Sequence, residues 1–533
     1  MEVVVPKTSS RRRLPGGGGF DAKKTTLKGP RFKIPELRAF SIDRERWSRQ
    51  KGNDALCRQT LRLQRPCRSG FCSVIVPVGV MVDVRSSSRV LSARRRRRYR
   101  LRADDIRPSV SLRLRTAALP QPTVVSAFPA TRQGGRHGLS GRRFLIVSAP
   151  FGSFGAALAS VLESRGAVVN RMIFNAGDAM NWRRPGGLVF KDTAKSWSDG
   201  LARIVADFSD VIVFGEAGAY NRAVLAAVDT LNARVWVLEN GYFRPDWITV
   251  ERNGVNGSSA LPRFRDGYPE PAPKLLEPVA VGKILPHHVA NISAYHTVQV
   301  AGKAFFPNYT APYVFSPLKQ CLGHIRRYVS LAFRRPENCD ADIIRARGEF
   351  FIACLQREGD AQLLRYSRYA DNRAFLTAVI TSFAAKAPPE ARLVVKNHPL
   401  DPGLVNLRAV TMRLAQEYGL MGRVDFIDGG NLAALCRTSL GMVVNNSSAA
   451  LSALGFHTPV KVLGDAFFDF EGLTDQKPLD DFWGAPEAPD SDLFTRFRAH
   501  VIAQSQVNGN YHEPHAIVPT ANGIADVFER ASA

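Results

Sequence analysis

A histidine followed at once by a proline interrupts the stretch VVKNHPLDPG, from Val394 to Gly403. An apolar, β-like run delivers Lys396, then breaks at Asn397-His398-Pro399 before a further helix-like segment. An imidazole at a strand end can donate to a phosphate oxygen or to a leaving phosphate, although local structure alone also accommodates a lone His-Pro pair. The next strand ends shift the balance. LGMVV runs into Asn445-Asn446-Ser447-Ser448 and an alanine-rich segment, and PVKVLG ends in Gly464-Asp465. Short oxygen-bearing side chains cap a helix start, which accounts for one serine. Free amides beside adjacent hydroxyls also form a ready phosphate site. Taken with His398, the pattern reads as a pocket for a nucleoside monophosphate.

A second dense stretch is RVWVLENGYFRPDWITVERNGVNGSS. Glu239 and Asn240 end a strand, Gly241 permits a sharp turn, Arg244 precedes a proline, and Glu251 and Asn256 follow. A buried carboxylate at a strand end facing a cleft is a candidate base or nucleophile; the plain alternative for Glu239 is a salt bridge to Arg244. In IFNAGDAMNW, Asn175 and Asp178 follow another strand, where Asx-turn chemistry competes with ligand contact. Gly152-Ser-Phe-Gly155 departs from GxGxxG, so a dinucleotide fold is poorly supported. His512-Glu-Pro-His515 has metal-like spacing, but proline is unsuited to the helix a zincin needs, and a C-terminal loop is expected there. The seven cysteines form no CxxC pair, so neither a disulfide framework nor a zinc ribbon is indicated. No metal is expected.

These positions depend on a regular scaffold. From Arg143 onward, short apolar runs (RRFLIVSA, AVVNRMIF, DVIVFG, RVWVLEN) alternate with helical segments of a dozen or so residues, the signature of parallel βαβ units. The stretch from about 250 to 345 is richer in Pro and polar residues and reads as a linker with some helix. Alternation resumes with EFFIACLQ, a helix over 372–386, ARLVVK, a helix near 404–418, RVDFID, LGMVV and PVKVLG. The expected architecture is α/β, with two parallel-sheet domains facing a cleft and ligands beyond the carboxyl ends of the strands. Expected boundaries are a basic leader at 1–140, a first domain at 141–260, a linker or insertion at 261–345, a second domain at 346–490 and a helical tail at 491–533.

Length and charge fit this layout. The chain has 533 residues, 45% hydrophobic and 23% charged, with a formal net charge of +26. Residues 1–142 hold 33 Lys+Arg against 9 Asp+Glu, which leaves 40 against 38 for the remainder. The leader therefore carries the basicity. It reads as a disordered Arg-rich tail or as sequence upstream of the true start, with a polybasic arm for anionic lipid or nucleic acid as the sharper alternative. The apolar run from Ser73 to Val82 is about half a membrane span and lacks a cleavage site, which argues against a signal peptide. A cytoplasmic protein is expected, or one peripheral on the inner face of the cytoplasmic membrane.

The motifs FNAGD, ENGYFRPDWITVERNGVN, LQREGD, KNHPLDPG and NNSSAALSALGFHTPVKVLGDAFFDFEGLTDQ together resemble the bacterial capsular polysaccharide biosynthesis and export proteins. The resemblance is to the Kps S or Lip B type of ABC-transporter-dependent systems, in order over about 143–485. It implies a GT-B-like pair of Rossmann-like domains that transfers Kdo from CMP-β-Kdo to a (lyso)phosphatidylglycerol acceptor, beginning a poly-Kdo linker. It further implies a place beside the capsule assembly and export machinery at the inner membrane, with no cofactor beyond the CMP-sugar donor and no nucleic-acid partner. By the same resemblance His398 contacts the phosphate as CMP leaves, Pro399 shapes the loop, Ser447 and Ser448 hold the phosphate, Lys396 adds charge and Gln356 lines the nucleotide or acceptor. Related retaining Kdo transferases carry an acidic pair before Gly-Tyr or Gly-Phe; here the triplet is Glu239-Asn240-Gly241. Glu239 is then the catalytic carboxylate, with Glu251 in reserve, and retention requires two displacements through a covalent adduct. Two other readings stay open: transfer from a different CMP-sugar, and a non-catalytic scaffold of the capsule complex.

Overall fold

The structure, a computed structural model, describes residues 138–333 and 339–531, all within one compact unit of the chain. The basic leader and the Ser73–Val82 run lie outside the described residues, apart from the last three positions of the leader.

Twelve strands form two sheets: β1 (Arg143–Ile146), β2 (Val168–Ile173), β3 (Gly187–Val189), β4 (Asp210–Phe214), β5 (Arg234–Asn240), β6 (Trp247–Arg252), β7 (Phe350–Cys354), β8 (Arg392–Lys396), β9 (Val424–Ile427), β10 (Gly441–Val444), β11 (Val460–Val462) and β12 (Gln506–Asn508). The first sheet has the order β12-β6-β5-β4-β1-β2-β3 and the second β11-β10-β7-β8-β9. The second sheet is parallel throughout, as are the five strands β1 to β5 of the first. Within each five-strand set the first and fourth strands in sequence lie side by side, and the winding reverses there. That point, beyond the carboxyl ends of β1 and β4 or of β7 and β10, is where a doubly wound sheet opens a crevice. The expected α/β class with two Rossmann-like sheets is therefore present.

Both sheets are covered on both faces, which is why runs such as FFIAC and RLVVK are apolar almost without alternation. One face of the first sheet packs on the helices Phe154–Ser164 and Pro514–Arg530, where Phe144 stacks on Phe528 at 5.4 Å between centroids. The other packs on Ala194–Val205 and Ala219–Ala226 around Trp197. Full burial of one such aromatic is worth about 1.5–3 kcal/mol.

Two features differ from the sequence expectation. First, β6 runs antiparallel to β5. The connection from Gly241 to Asp246 is too short for a crossover, which needs a dozen or more residues. A Cβ on Gly241 would sit 2.1 Å from the Trp247 carbonyl oxygen, so the turn requires glycine. Second, the 491–533 segment is not only a helical tail. After the helix Ser491–Ser505 it supplies β12, antiparallel on β6, and the helix Pro514–Arg530 that covers the first sheet; three residues are too few to show a period. The 261–345 stretch, read from the sequence as a linker with some helix, holds two long helices, Ile284–Ala301 and Pro317–Phe333.

The carboxyl ends of the two sheets meet. Tyr366, just past the helix Ala361–Arg365 of the second lobe, bonds Glu216 beyond β4 and Ser258 of the loop after β6. Arg263 pairs with Asp465 beyond β11.

Candidate active site

At the reversal point of the second sheet, β7 delivers Gln356 and β10 delivers Asn445. Gln356 Nε2 donates to Asn446 Oδ1 at 2.7 Å, while its own Oε1 is buried with no partner. Asn446 is fully engaged, donating to the carbonyls of Gln362 and Tyr366 at 3.0 Å each. Asn445 is 2% exposed, and neither its amide nitrogen nor its oxygen has a protein partner. Leaving a buried polar group unpaired costs about 1–3 kcal/mol, so three unpaired amide atoms at this point mark a place that a polar ligand or water completes. Beside them, Ser447 Oγ accepts from Ala449 N at 3.3 Å, whereas Ser448, at the cap position of the helix Ala449–Gly455, makes no capping bond. The capping role thus leaves the Ser448 hydroxyl unused.

His398 follows β8. Its Nδ1 accepts from Leu400 N at 3.1 Å, so in the neutral ring the hydrogen resides on Nε2. Burial, followed by the positive field of Arg244, Arg357, Lys396 and Arg327, holds its pKa down to about 4. Four cations from three parts of the chain thus converge on one neutral imidazole that offers an N–H. Such an arrangement can receive an anion. Lys396 is only 9% exposed at the end of β8. Arg327 fixes the loop from below: its guanidinium donates to the carbonyls of His398 at 3.3 Å, Pro399 at 3.1 Å and Asp401 at 2.6 Å, and pairs with Asp428 at 3.2 Å. Pro399 itself is exposed.

On the first sheet, Glu239 Oε1 accepts from the backbone N of Asn240 at 2.8 Å and from its Nδ2 at 3.2 Å. Asn240 is thus a donor that orients Glu239. Oε2 would lie 3.0 Å from a Cβ on Gly215, so the glycine leaves that oxygen clear. Burial raises the Glu239 pKa; the Asn240 amide and the Arg244 charge oppose this, and Asp360 and Glu216 add to it. Arg244 donates to the Gly241 carbonyl at 3.1 Å, and no ion pair joins it to Glu239 among the described residues. Its field acts on Glu239, on Asp360 and on His398 alike, so it links the Glu239 carboxylate of the first sheet with Asp360 and the imidazole of the second lobe.

The remaining sequence candidates are placed elsewhere. Glu251 lies on β6 with both oxygens taken, by the Tyr242 hydroxyl at 2.6 Å and by the Ser259 hydroxyl. Burial pushes its pKa up to about 7. Asn256 contributes its backbone N–H, which donates to the Tyr242 oxygen at 2.8 Å. This network ties down a loop and exposes no reactive group. Asn175 caps the helix Ala176–Trp182, with Oδ1 accepting from Gly177 and Asp178 N–H groups. Asp178 is enclosed by Asn175 at 2.9 Å, Tyr295 at 3.1 Å and Arg171 at 3.2 Å. In His512-Glu-Pro-His515 the expected loop holds for His512 and Glu513, whereas Pro514 opens the Pro514–Arg530 helix, since its fixed φ and missing N–H suit the first turn. His512 Nε2 meets His288 Nδ1 at 2.8 Å. Among the described residues no group of three or more His, Cys, Asp or Glu is arranged to hold a metal.

Sequence reasoning missed Glu216, Tyr366, Asp360, Arg327 and Arg357. Glu216 stands directly after DVIVFG, so the strand-end rule that selected Glu239 also points to it. Asp360 lies inside LQREGD. Arg327 sits on a helix distant in sequence, and no local pattern marks it.

A family model described as "Capsule polysaccharide biosynthesis protein" matches residues 209–512. The capsule polysaccharide export protein KpsS of Escherichia coli is 33% identical over 387 residues, covering 70% of this chain and 98% of that protein. The capsule polysaccharide modification protein LipB of Neisseria meningitidis serogroup B is 32% identical over 394 residues, covering 70% and 92%. The chain belongs to the capsule polysaccharide biosynthesis protein family, as its motifs led us to expect. Among solved structures, the β-Kdo 2,7 transferase KpsC of Thermosulfurimonas dismutans aligns over 73% of this chain and 99% of its own, at 13% identity and a TM-score of 0.35.

Proposed function

We propose that the protein is a glycosyltransferase of capsule biosynthesis that moves Kdo from CMP-Kdo to a (lyso)phosphatidylglycerol acceptor, with retention. The observation that supports this best is the neutral, Nε2-protonated His398 inside the field of Arg244, Arg357, Lys396 and Arg327, next to the unpaired amides of Asn445 and Gln356. The cations offset the charge of a nucleoside monophosphate, His398 donates to the phosphate as it departs, and Ser447 and Ser448 offer hydroxyls to it. The identity of the sugar and of the lipid comes from the family resemblance.

In this reading Glu239 attacks the anomeric carbon through Oε2. The bond to CMP breaks, and the leaving phosphate keeps the electron pair under the cations. The acceptor hydroxyl then displaces Glu239 from the covalent adduct and gives up its proton to a neighbouring carboxylate, in this reading Asp360, whose charge acts on Glu239. Arg244 opposes the rise in the Glu239 pKa that burial causes. No metal or other cofactor takes part.

The test supplies the full chain with CMP-Kdo generated in situ and short-chain phosphatidylglycerol, and looks by mass spectrometry for a single added Kdo. The expected result is product that disappears in both His398→Ala and Glu239→Ala. No product from folded protein that binds CMP would point to another sugar or acceptor. Neither product nor CMP binding would leave the scaffold reading standing.

A further inference from the structure

The helix Pro317–Phe333 is turned inside out. Two of its polar side chains face the protein: Arg327 reaches the His398–Asp401 loop, and Gln320 bonds Arg357 and the Phe315 carbonyl. Gly323 is its one buried residue, and a Cβ there would stand 2.5 Å from the Pro402 carbonyl, so the helix lies tight against that loop. Leu318, Leu322, Ile325, Val329 and Phe333, spaced by four, three, four and four, form a stripe along the outward side. Leu318 is 66% exposed, Leu322 58%, Val329 46% and Phe333 88%. An ordinary surface helix turns such a stripe to the core. Here the core side is taken by site-bracing polar groups, and among the described residues the apolar side is left without a protein partner. The helix carries Lys319, Arg326 and Arg327 and no acidic residue, and Lys319 and Arg326 are exposed beside the stripe.

From this geometry we propose that the Pro317–Phe333 helix docks on the surface of a bilayer containing anionic phospholipid. Leu318, Leu322, Val329 and Phe333 enter the boundary between headgroups and acyl chains, and Lys319 and Arg326 lie at headgroup level. The features match an interfacial helix: a continuous apolar face, cations on its flanks and no carboxylate to repel the surface. Long basic side chains bury their stems and keep their charges among the phosphates. A second copy of this chain would have to present a complementary acidic rim, and the helix provides none. Docking through this helix sets the His398 loop, held by Arg327 on the other side of the same helix, next to the membrane.

The test measures partition of the full chain onto vesicles of phosphatidylcholine with phosphatidylglycerol, without sugar or acceptor, so its outcome is scored separately from transfer. Salt of about 0.5 M shortens the screening length to a few Å and suppresses attachment by the basic leader. The expected result is residual binding at high salt that falls at least about tenfold in a Leu322→Ser, Val329→Ser, Phe333→Ser variant, as the lost apolar contact requires. These side chains are exposed, so far-UV circular dichroism is expected to match the parent. A Leu322→Cys variant carrying an environment-sensitive dye is expected to shift to the blue on vesicles. Complete release at high salt, equal partition of the triple variant, or an unshifted dye would overturn the proposal. A triple variant that only converts a dimer to a monomer, with partition unchanged, would assign the face to a second copy and overturn it equally.

Discussion

Tyr366 of the second lobe donates its hydroxyl to Glu216 of the first over 2.7 Å, and the Ser258 hydroxyl donates in turn to the same phenol oxygen. Glu216 also accepts from Val255 N at 3.3 Å. One carboxylate at a strand end thus holds a loop of its own lobe and a side chain of the other. Tyr366→Phe removes the bridge and keeps the ring. A hydrogen bond to a charged group contributes about 1.5–3 kcal/mol, so CMP affinity is expected to fall by about tenfold or more, with the fold retained. Unchanged affinity in calorimetry would show that the bridge plays no part in forming the site.

The two candidate carboxylates of the first sheet separate by geometry. Glu239 keeps one oxygen clear, whereas both Glu251 oxygens are bonded to hydroxyls. Glu239→Gln is expected to lower kcat by at least about a thousandfold with CMP binding intact. Glu251→Gln is expected to hold kcat within about tenfold and to act on stability. Rates measured side by side decide the matter, and a reversed order would exchange the roles.

The imidazole of His398 titrates near 4 because burial and then four cations oppose its charge. A bound phosphate offsets those cations. NMR titration is therefore expected to show the His398 pKa rising when CMP is added, and a pKa that stays put would place the nucleotide elsewhere.

The unpaired Asn445 amide predicts an exchange between stability and function. Asn445→Leu keeps the branched shape and removes two unpaired polar atoms, so thermal stability is expected to rise by about 1 kcal/mol or more. CMP affinity is expected to fall. A lower Tm with unaltered CMP binding would mean that the amide is already satisfied by water.

Acid stability follows from the histidines. His324, His398 and His512 are each held down to about 4 from an ordinary 6.5, first by burial. The unfolded chain binds more protons between those values, so their stabilising contribution is present above 6.5 and lost as the pH falls towards 4. Glu251, raised to about 7, works the other way: its contribution is complete below about 4.5 and fades as the pH rises through 7. The parent is expected to lose more Tm between neutral pH and about pH 5 than His512→Gln does, and Glu251→Gln to cost more at pH 5 than at pH 8. Thermal scans at the three pH values provide the check.

The strand-helix alternation from Arg143 and the apolar runs of β7 and β8 announced two parallel sheets, because a strand buried on both faces has little room for polar residues. The strand-end rule then led to Glu239, His398, Ser448 and Gln356, since the crevice of such a sheet lies where the strands stop. The antiparallel β6 was hidden because its apolar run looks like any other strand until the length of its connection is weighed. Arg327 was hidden for a different reason: it acts through space, from a helix some seventy residues before the loop it holds. The outward apolar stripe of that helix was present in the sequence, but its period says only that one face is apolar and not which way that face turns.

The return of the chain to its first sheet bears on the order in which the protein can be made. The second lobe is continuous in sequence and can close on itself once its last helix, Ser491–Ser505, has left the ribosome. The first lobe begins more than two hundred residues earlier, yet its edge strand β12 and the Pro514–Arg530 helix over Phe144 and Phe154 arrive only after the whole second lobe has been made. Until then one face of that sheet has only the Phe154–Ser164 helix to cover it. The half that is translated first is therefore completed last, and it must be shielded while it waits.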